Sequence, residues 1–139
     1  MRLLLDTNIL VSAVLFDGLP QGLVEQAFRG EYELVTSEAL LDEFEEVLRE
    51  RFARPALLAR ALREELASIA DMSRPERIPR ASRDPADDMV LAAALGGHAD
   101  AIVTGDKDIL DLGAYEGMPV LTTRQALAKL AGIEGSGQR

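Results

Sequence analysis

The chain has 139 residues, the length of one domain, and its 47% hydrophobic content is enough for a buried core. With 24 acidic against 15 basic residues the net charge is −9, which excludes a general nucleic-acid coat protein but not a nuclease whose acids hold a cation. The lack of cysteine excludes disulfides and thiolate zinc sites, and a single histidine, His98, excludes a His-rich metal site.

Leu3 to Leu5 is a short continuous apolar run, as expected of a central parallel strand buried on both faces. Ile9 to Phe16 reads as a short helix ending near Asp17-Gly18. Pro20 begins a second helix, with Leu23, Val24, Ala27 and Phe28 at helical spacing and Gly30 as its stop. Tyr32 to Val35 is a second strand. Ser37 is the N-cap of a long helix whose apolar stripe is Leu40, Leu41, Phe44, Val47 and Leu48. After Pro55, Ala56 to Ile69 forms a further amphipathic helix. Arg74 to Arg83 is a polar connection in which Ile78 marks a short strand.

Asp84-Pro85 reads as N-cap and first residue of the next helix, and Met89 to Leu95 is apolar all round. Gly96-Gly97 stops that helix, with His98 as its C-terminal residue; neither glycine belongs to a phosphate-binding loop. Ala101 to Thr104 and Pro119 to Leu121 are the third and fourth strands. Thr123 caps a last helix to about Ala131, and 132–139 reads as a disordered tail. One domain, 1–131, is expected, with right-handed crossovers and a mostly parallel sheet of four to five strands in an α/β fold. No segment resembles a signal peptide or reaches the roughly 18 apolar residues of a membrane span. The expectation is a soluble, cytoplasmic protein.

Ligands of such sheets bind beyond the C-terminal strand ends, and acids recur there. Asp6 follows the first strand; it is either a ligand for a hard cation or a cap for the helix behind it, a task Thr7 or Asn8 can also perform. On the long helix, Glu43 and Glu45 flank the apolar stripe, and helical geometry leaves them tied. Asp84, Asp87 and Asp88 crowd one helix start, where the helix dipole favours carboxylates. Asp84 is read as the cap and Asp87 as an acid reaching free backbone N–H groups. Asp88 shares a face with Leu91, Ala92 and Leu95, so it is expected to be buried and to need a partner, a metal or a base such as Arg83. After the third strand, Asp106 is the better ligand candidate. Asp108 is a helix cap or supporting acid, and Thr104 a hydrogen-bond donor to a ligand carboxylate or a water. Arg83 and Lys107 are read foremost as exposed charges.

Leu5-Asp6-Thr7-Asn8, then Thr36-Ser37 with Glu43-Phe44, then Asp88 through Ala94, then Val103 through Asp108 resemble in order and spacing the PIN domain, as found in bacterial VapC-like toxins. The likeness covers nearly the whole chain. It is greatest to the branch with Asp-Pro-x-Asp-Asp before the buried helix, here Asp84 to Asp88. The resemblance implies a three-layer α/β/α fold and a nuclease dependent on Mg²⁺ or Mn²⁺ that cuts single-stranded RNA. It assigns Asp6, Glu43, Asp88 and Asp106 as catalytic acids that bind metal, with Asp108 as an auxiliary one, and puts Glu45 on the surface. Asn8, Ser37, Asp84 and Thr104 stand as auxiliary residues. It also implies a homodimer and a small antitoxin that blocks toxin members.

Three other readings compete. A catalytically silent PIN-like domain would bind RNA or protein without cutting, and would be indifferent to Asp6→Asn. A phosphatase with an aspartyl nucleophile usually has a second Asp two residues on, where this chain has Asn8. An interaction domain without chemistry would show no effect of divalent metal on melting.

Overall fold

Leu3, Leu4 and Leu5 are all fully buried, but on alternate faces of one sheet: Leu3 and Leu5 join one core cluster and Leu4 the other. This alternation explains why strands with apolar side chains on both faces occupy the middle of the fold. It is seen in a computed structural model, which describes residues 1–75 and 85–133.

The chain runs β1 (Arg2–Leu5), α1 (Thr7–Leu15), α2 (Leu19–Phe28), β2 (Glu33–Ser37), α3 (Glu38–Glu50), α4 (Ala56–Ile69) and β3 (Asp71–Ser73). It continues through α5 (Pro85–Gly96), β4 (Ala101–Val103), α6 (Lys107–Leu110), β5 (Ala114–Tyr115), β6 (Met118–Leu121) and α7 (Thr123–Leu130). The six strands lie in the order β3-β2-β1-β4-β6-β5, all parallel except for β5 against β6. One core holds side chains from α1, α2, α3, α4 and α7; the other holds side chains mainly from α5, β6 and α6. The result is an α/β/α sandwich, as the apolar patterning implied.

The sheet has six strands instead of the expected four to five. β3 was missed because it is three residues long and two of them are Asp71 and Ser73. β5 is two residues long and pairs across a tight turn. At its centre Glu116 and Gly117 have φ of 50° and 81°, the left-handed pair of a type I′ hairpin. Ile78, expected to mark a strand, lies outside the described residues.

Local chemistry accounts for the element ends. The Ser37 side chain accepts the N–H of Leu40, as expected of an N-cap. The cap of α7 is Thr122 and not Thr123; Thr122 and Gln125 form a reciprocal capping box. Residues Val90 to Ala94 of the apolar run in α5 are buried, while Leu95 at its end is exposed. At the end of α7, Ile133 donates to Ala128 O and Gly132 to Lys129 O, so ordered backbone bonds reach two residues into the expected tail. Residues 134–139 lie outside the described residues. Among the described residues no single helix is long and apolar enough to cross a membrane.

β1 has β2 on one side and β4 on the other. The chain therefore reverses its direction of travel across the sheet at the β1–β4 boundary, the place where parallel sheets open a crevice at their C-terminal edge.

Candidate metal centre

Asp6 and Thr104 stand at that boundary. Register pairs Leu5 with Val103, and Asp6 N–H donates to Val103 O at 2.9 Å, so Asp6 and Thr104 come next along their strands. Each follows a side chain of the α5-facing core, Leu4 or Ile102, by two residues, which puts both on the face that α5 covers.

Asp6 is buried, with 7% of its surface exposed. It occupies the N-cap position of α1, but its side chain makes no bond of the usual capping kind. Its Oδ2 accepts the Thr104 hydroxyl at 2.7 Å. Burial pushes the Asp6 carboxyl above its usual range; the bonds from Thr104 and the Thr7 backbone pull it down, while the nearby charges of Glu43 and Asp106 push it up again.

Thr104 is fully buried and also accepts the Asp106 N–H at 3.0 Å. Asp106 in turn caps α6: its Oδ1 accepts the N–H of Asp108 at 2.8 Å and of Ile109 at 3.3 Å. The cap of α6 is thus Asp106, and Asp108 is an exposed acid in its first turn.

Carboxylate oxygens of Asp87, Asp106 and Asp108 lie within 4.8 Å of one another. Asp87 is buried, Asp106 half-buried and Asp108 exposed, so the group runs from the interior to the surface. Asp88 is buried to the same extent as Asp87 but lies outside this group. Asp87, expected to tend free N–H groups, is thus the acid of α5 in this trio. Two adjacent acids in a helix point about 100° apart, and only the placement of α5 against β4 and α6 decides which one meets Asp106.

Glu43 is half-buried on α3 and lines a groove of about 260 Å³ between α3 and the first turn of α5, with Leu40, Glu46, Ala86 and Met89. Its charge is felt at Asp6. Glu45 points the other way, to Arg63 Nη1 at 2.8 Å and Arg60 at 3.5 Å on α4, and these partners hold its carboxyl below its usual range. Geometry thus separates the tied pair. Glu45 lies at the edge of the surface, its side chain 15% exposed and held in an ion cluster.

Of the other expected residues, Asn8 is exposed in the first turn of α1 and Ser37 is engaged as a cap. Asp84 and Arg83 lie outside the described residues. Lys107 is exposed and pairs with Asp111 at 2.8 Å. Thr36, quoted above only as part of the resemblance, is fully buried, and its Oγ1 has no hydrogen-bond partner among the described residues.

The donor set suits a hard divalent cation. It is made of carboxylate oxygens, three of them within reach of one ion, and a fourth acid, Asp6, whose charge is disfavoured first by burial and then by Glu43 and Asp106, costs that a bound cation would offset. Asp87, Asp106 and Asp108 could share one such ion, and Asp6 is tied to Asp106 through Thr104.

The family model of the PIN domain matches residues 2–108, a span that includes every acid just described. No curated protein matches the chain. PIN domains are in general metal-dependent nucleases, which agrees with a cation site of carboxylates at the C-terminal edge of a parallel sheet. The chain belongs to the PIN domain family.

Proposed function

We propose that this PIN domain is an endoribonuclease that hydrolyses phosphodiester bonds of single-stranded RNA with Mg²⁺ or Mn²⁺. We also propose that it acts as a homodimer and is the toxin component of a toxin–antitoxin pair. The observation that carries the nuclease reading is the linked set Asp6–Thr104–Asp106, with Asp87 and Asp108 beside Asp106. The toxin and antitoxin parts rest on the resemblance of Asp84 to Asp88 to the toxin branch.

A divalent cation bound there supplies a more acidic water and neutralises charge on the phosphate oxygens. The chain's own residues do the rest. Asp6, Asp88 and Asp106 would hold the cation, as the resemblance implies, and Asp87 and Asp108 lie where they could supply further oxygens beside Asp106. Thr104 holds Asp6 by donating to one oxygen, which fixes the direction of the other. Glu43 stands across the groove from α5, where a carboxylate can accept a proton from the attacking water. Water adds to phosphorus as one P–O ester bond breaks, leaving one phosphate and one hydroxyl end.

The test is cleavage of a mixed single-stranded RNA pool with Mn²⁺ or Mg²⁺, beside EDTA and the Asp6→Asn variant. Cutting that requires both the metal and Asp6 is expected. Folded protein that binds neither Mn²⁺ nor RNA would overturn the reading. RNA binding without cleavage, indifferent to Asp6→Asn, would make the chain a silent PIN-like binding domain.

A further inference from the structure

The groove of about 260 Å³ between α3 and the first turn of α5 begins one residue from the candidate centre on both of its walls. Thr7, which follows Asp6, donates from Oγ1 to Leu40 O at 3.4 Å, and Leu40 lines the groove. On the opposite wall, Ala86 immediately precedes Asp87. Ala39, Glu43 and Glu46 recur at spacings of four and three, so they share the face of α3 that borders Ala86 and Met89. Glu46 stands about 4.5 Å farther along α3 than Glu43.

The lining of the groove is chemically selective. Ala39, Leu40, Ala86 and Met89 give it apolar surface, and the Met89 thioether is a polarisable group that packs well against a ring. Its side-chain polar groups are all carboxylates, which accept hydrogen bonds and donate none when ionised. The Asp42 carboxylate is taken by Arg63 Nη1 at 2.6 Å. Glu43 and Glu46 have no ion pair or side-chain hydrogen bond among the described residues. Glu43 belongs to the proposed chemistry, which leaves Glu46 as the acceptor without a task. Acids on one wall repel a phosphate. A flat ring that brings hydrogen-bond donors to them is accommodated.

The unstacked bases of single-stranded RNA are such rings, and proteins read them at their Watson–Crick edges. Guanine presents two donors side by side there, its ring N–H and its amino group, which match the two oxygens of one carboxylate. Cytosine and adenine set a ring acceptor beside the amino group, and uracil flanks its one N–H with two carbonyl oxygens. We propose that this groove is a subsite for a guanine base next to the scissile phosphate, with Glu46 as the residue that sets the preference and Met89 as the surface on which the ring packs. The inference rests on the nuclease reading above.

The experiment reads the bases at the fragment ends after the full chain with Mn²⁺ cuts a mixed single-stranded RNA pool, for the wild type, Glu46→Gln and Glu46→Ala. In parallel, fluorescence anisotropy measures binding of uridine octamers that carry one central guanosine, adenosine or cytidine, with Ca²⁺ as the cation. The wild type is expected to favour guanine at one position beside the cut, and the guanosine octamer, by about tenfold. Glu46→Ala should lose that preference. Glu46→Gln should shift it to adenine or cytosine, whose amino group and ring acceptor match a carboxamide. Both variants should keep cutting that depends on metal and Asp6, and should keep the wild-type melting temperature, because Glu46 is exposed. A wild type that cuts without favouring guanine, or a guanine preference that survives in both variants, overturns the inference and leaves the nuclease reading standing. If the wild type cuts no RNA, the nuclease reading fails and octamer binding decides for the subsite alone. A guanosine preference lost in Glu46→Ala then supports it, and equal binding or none overturns it.

Discussion

The hydroxyl of Thr104 gives its one proton to Oδ2 of Asp6 at 2.7 Å. Because the same oxygen accepts the Asp106 N–H at 3.0 Å, that proton is committed to Asp6. A single fully buried side chain therefore ties the ends of β1 and β4 together and sets the spacing of two acids. Thr104→Val keeps the shape and removes both bonds. The expected result is a loss of about 10–100-fold in Mn²⁺ affinity or cleavage, as for other groups that orient metal ligands. A destabilisation of about 1–3 kcal/mol should accompany it, because buried polar partners lose their bonds. Thr104→Ser should restore most of both. Calorimetric Mn²⁺ titration and urea unfolding of the three proteins check this, and a valine variant that binds Mn²⁺ like the wild type would refute the role.

Asp87 and Asp88 are neighbours with equal burial, yet only Asp87 joins Asp106 and Asp108. Asp87→Asn is expected to abolish measurable Mn²⁺ binding and RNA cleavage with the fold intact. Asp88→Asn should retain Mn²⁺ binding within a few-fold of the wild type. The decisive comparison is Mn²⁺ titration of both variants alongside their circular dichroism. The reverse ranking would make Asp88 the ligand, as the resemblance implies.

Glu45 provides a test of acid stability. Hydrogen bonding to Arg63, assisted by Arg60, holds its carboxyl below the ordinary 4.5. A depressed acid contributes stability that is present above the unfolded pKa and is lost as pH falls through the folded one. The melting temperature should therefore decline as pH drops below about 4.5, and Glu45→Gln should decline less steeply over the same window. Parallel melting curves from pH 7 to pH 3 for the two proteins would show that the pair contributes nothing.

Gly97 and Gly22 should respond to alanine in opposite directions. A Cβ at Gly97 would sit 2.5 Å from Val35 Cγ1 and 3.1 Å from Ala93 O, where a strand side chain and a helix carbonyl already pack. Gly97→Ala is expected to destabilise by about 1–3 kcal/mol, the range for overpacked interiors. At Gly22, inside α2, a Cβ would meet nothing within 4 Å. Gly22→Ala should stabilise by about 0.4–1 kcal/mol, because alanine loses less chain entropy in a helix. Urea midpoints of the two variants check the pair of signs.

The layers were legible in the amino-acid order, because buried parallel strands and amphipathic helices leave periodic traces: Leu3 to Leu5, the stripe from Leu40 to Leu48, and the run after Pro85. It also pointed to Asp6 and Asp106, since an acid directly after a buried strand has few other duties in a parallel sheet. β3 and β5 left no such trace, being two or three residues long and held by pairing with neighbours. The choices between Glu43 and Glu45 and between Asp87 and Asp88 were likewise beyond helical periodicity. Neighbouring acids on one helix differ only in direction, and direction acquires meaning only when another element is packed against it. Packing α4 on α3 turned Glu45 to Arg63 and left Glu43 to the groove. Packing α5 beside α6 placed Asp87 with Asp106 and Asp108. Which of these acids lie together depends on tertiary packing, because Asp87 meets Asp106 and Asp108 only where α5 and α6 close on one edge of the sheet.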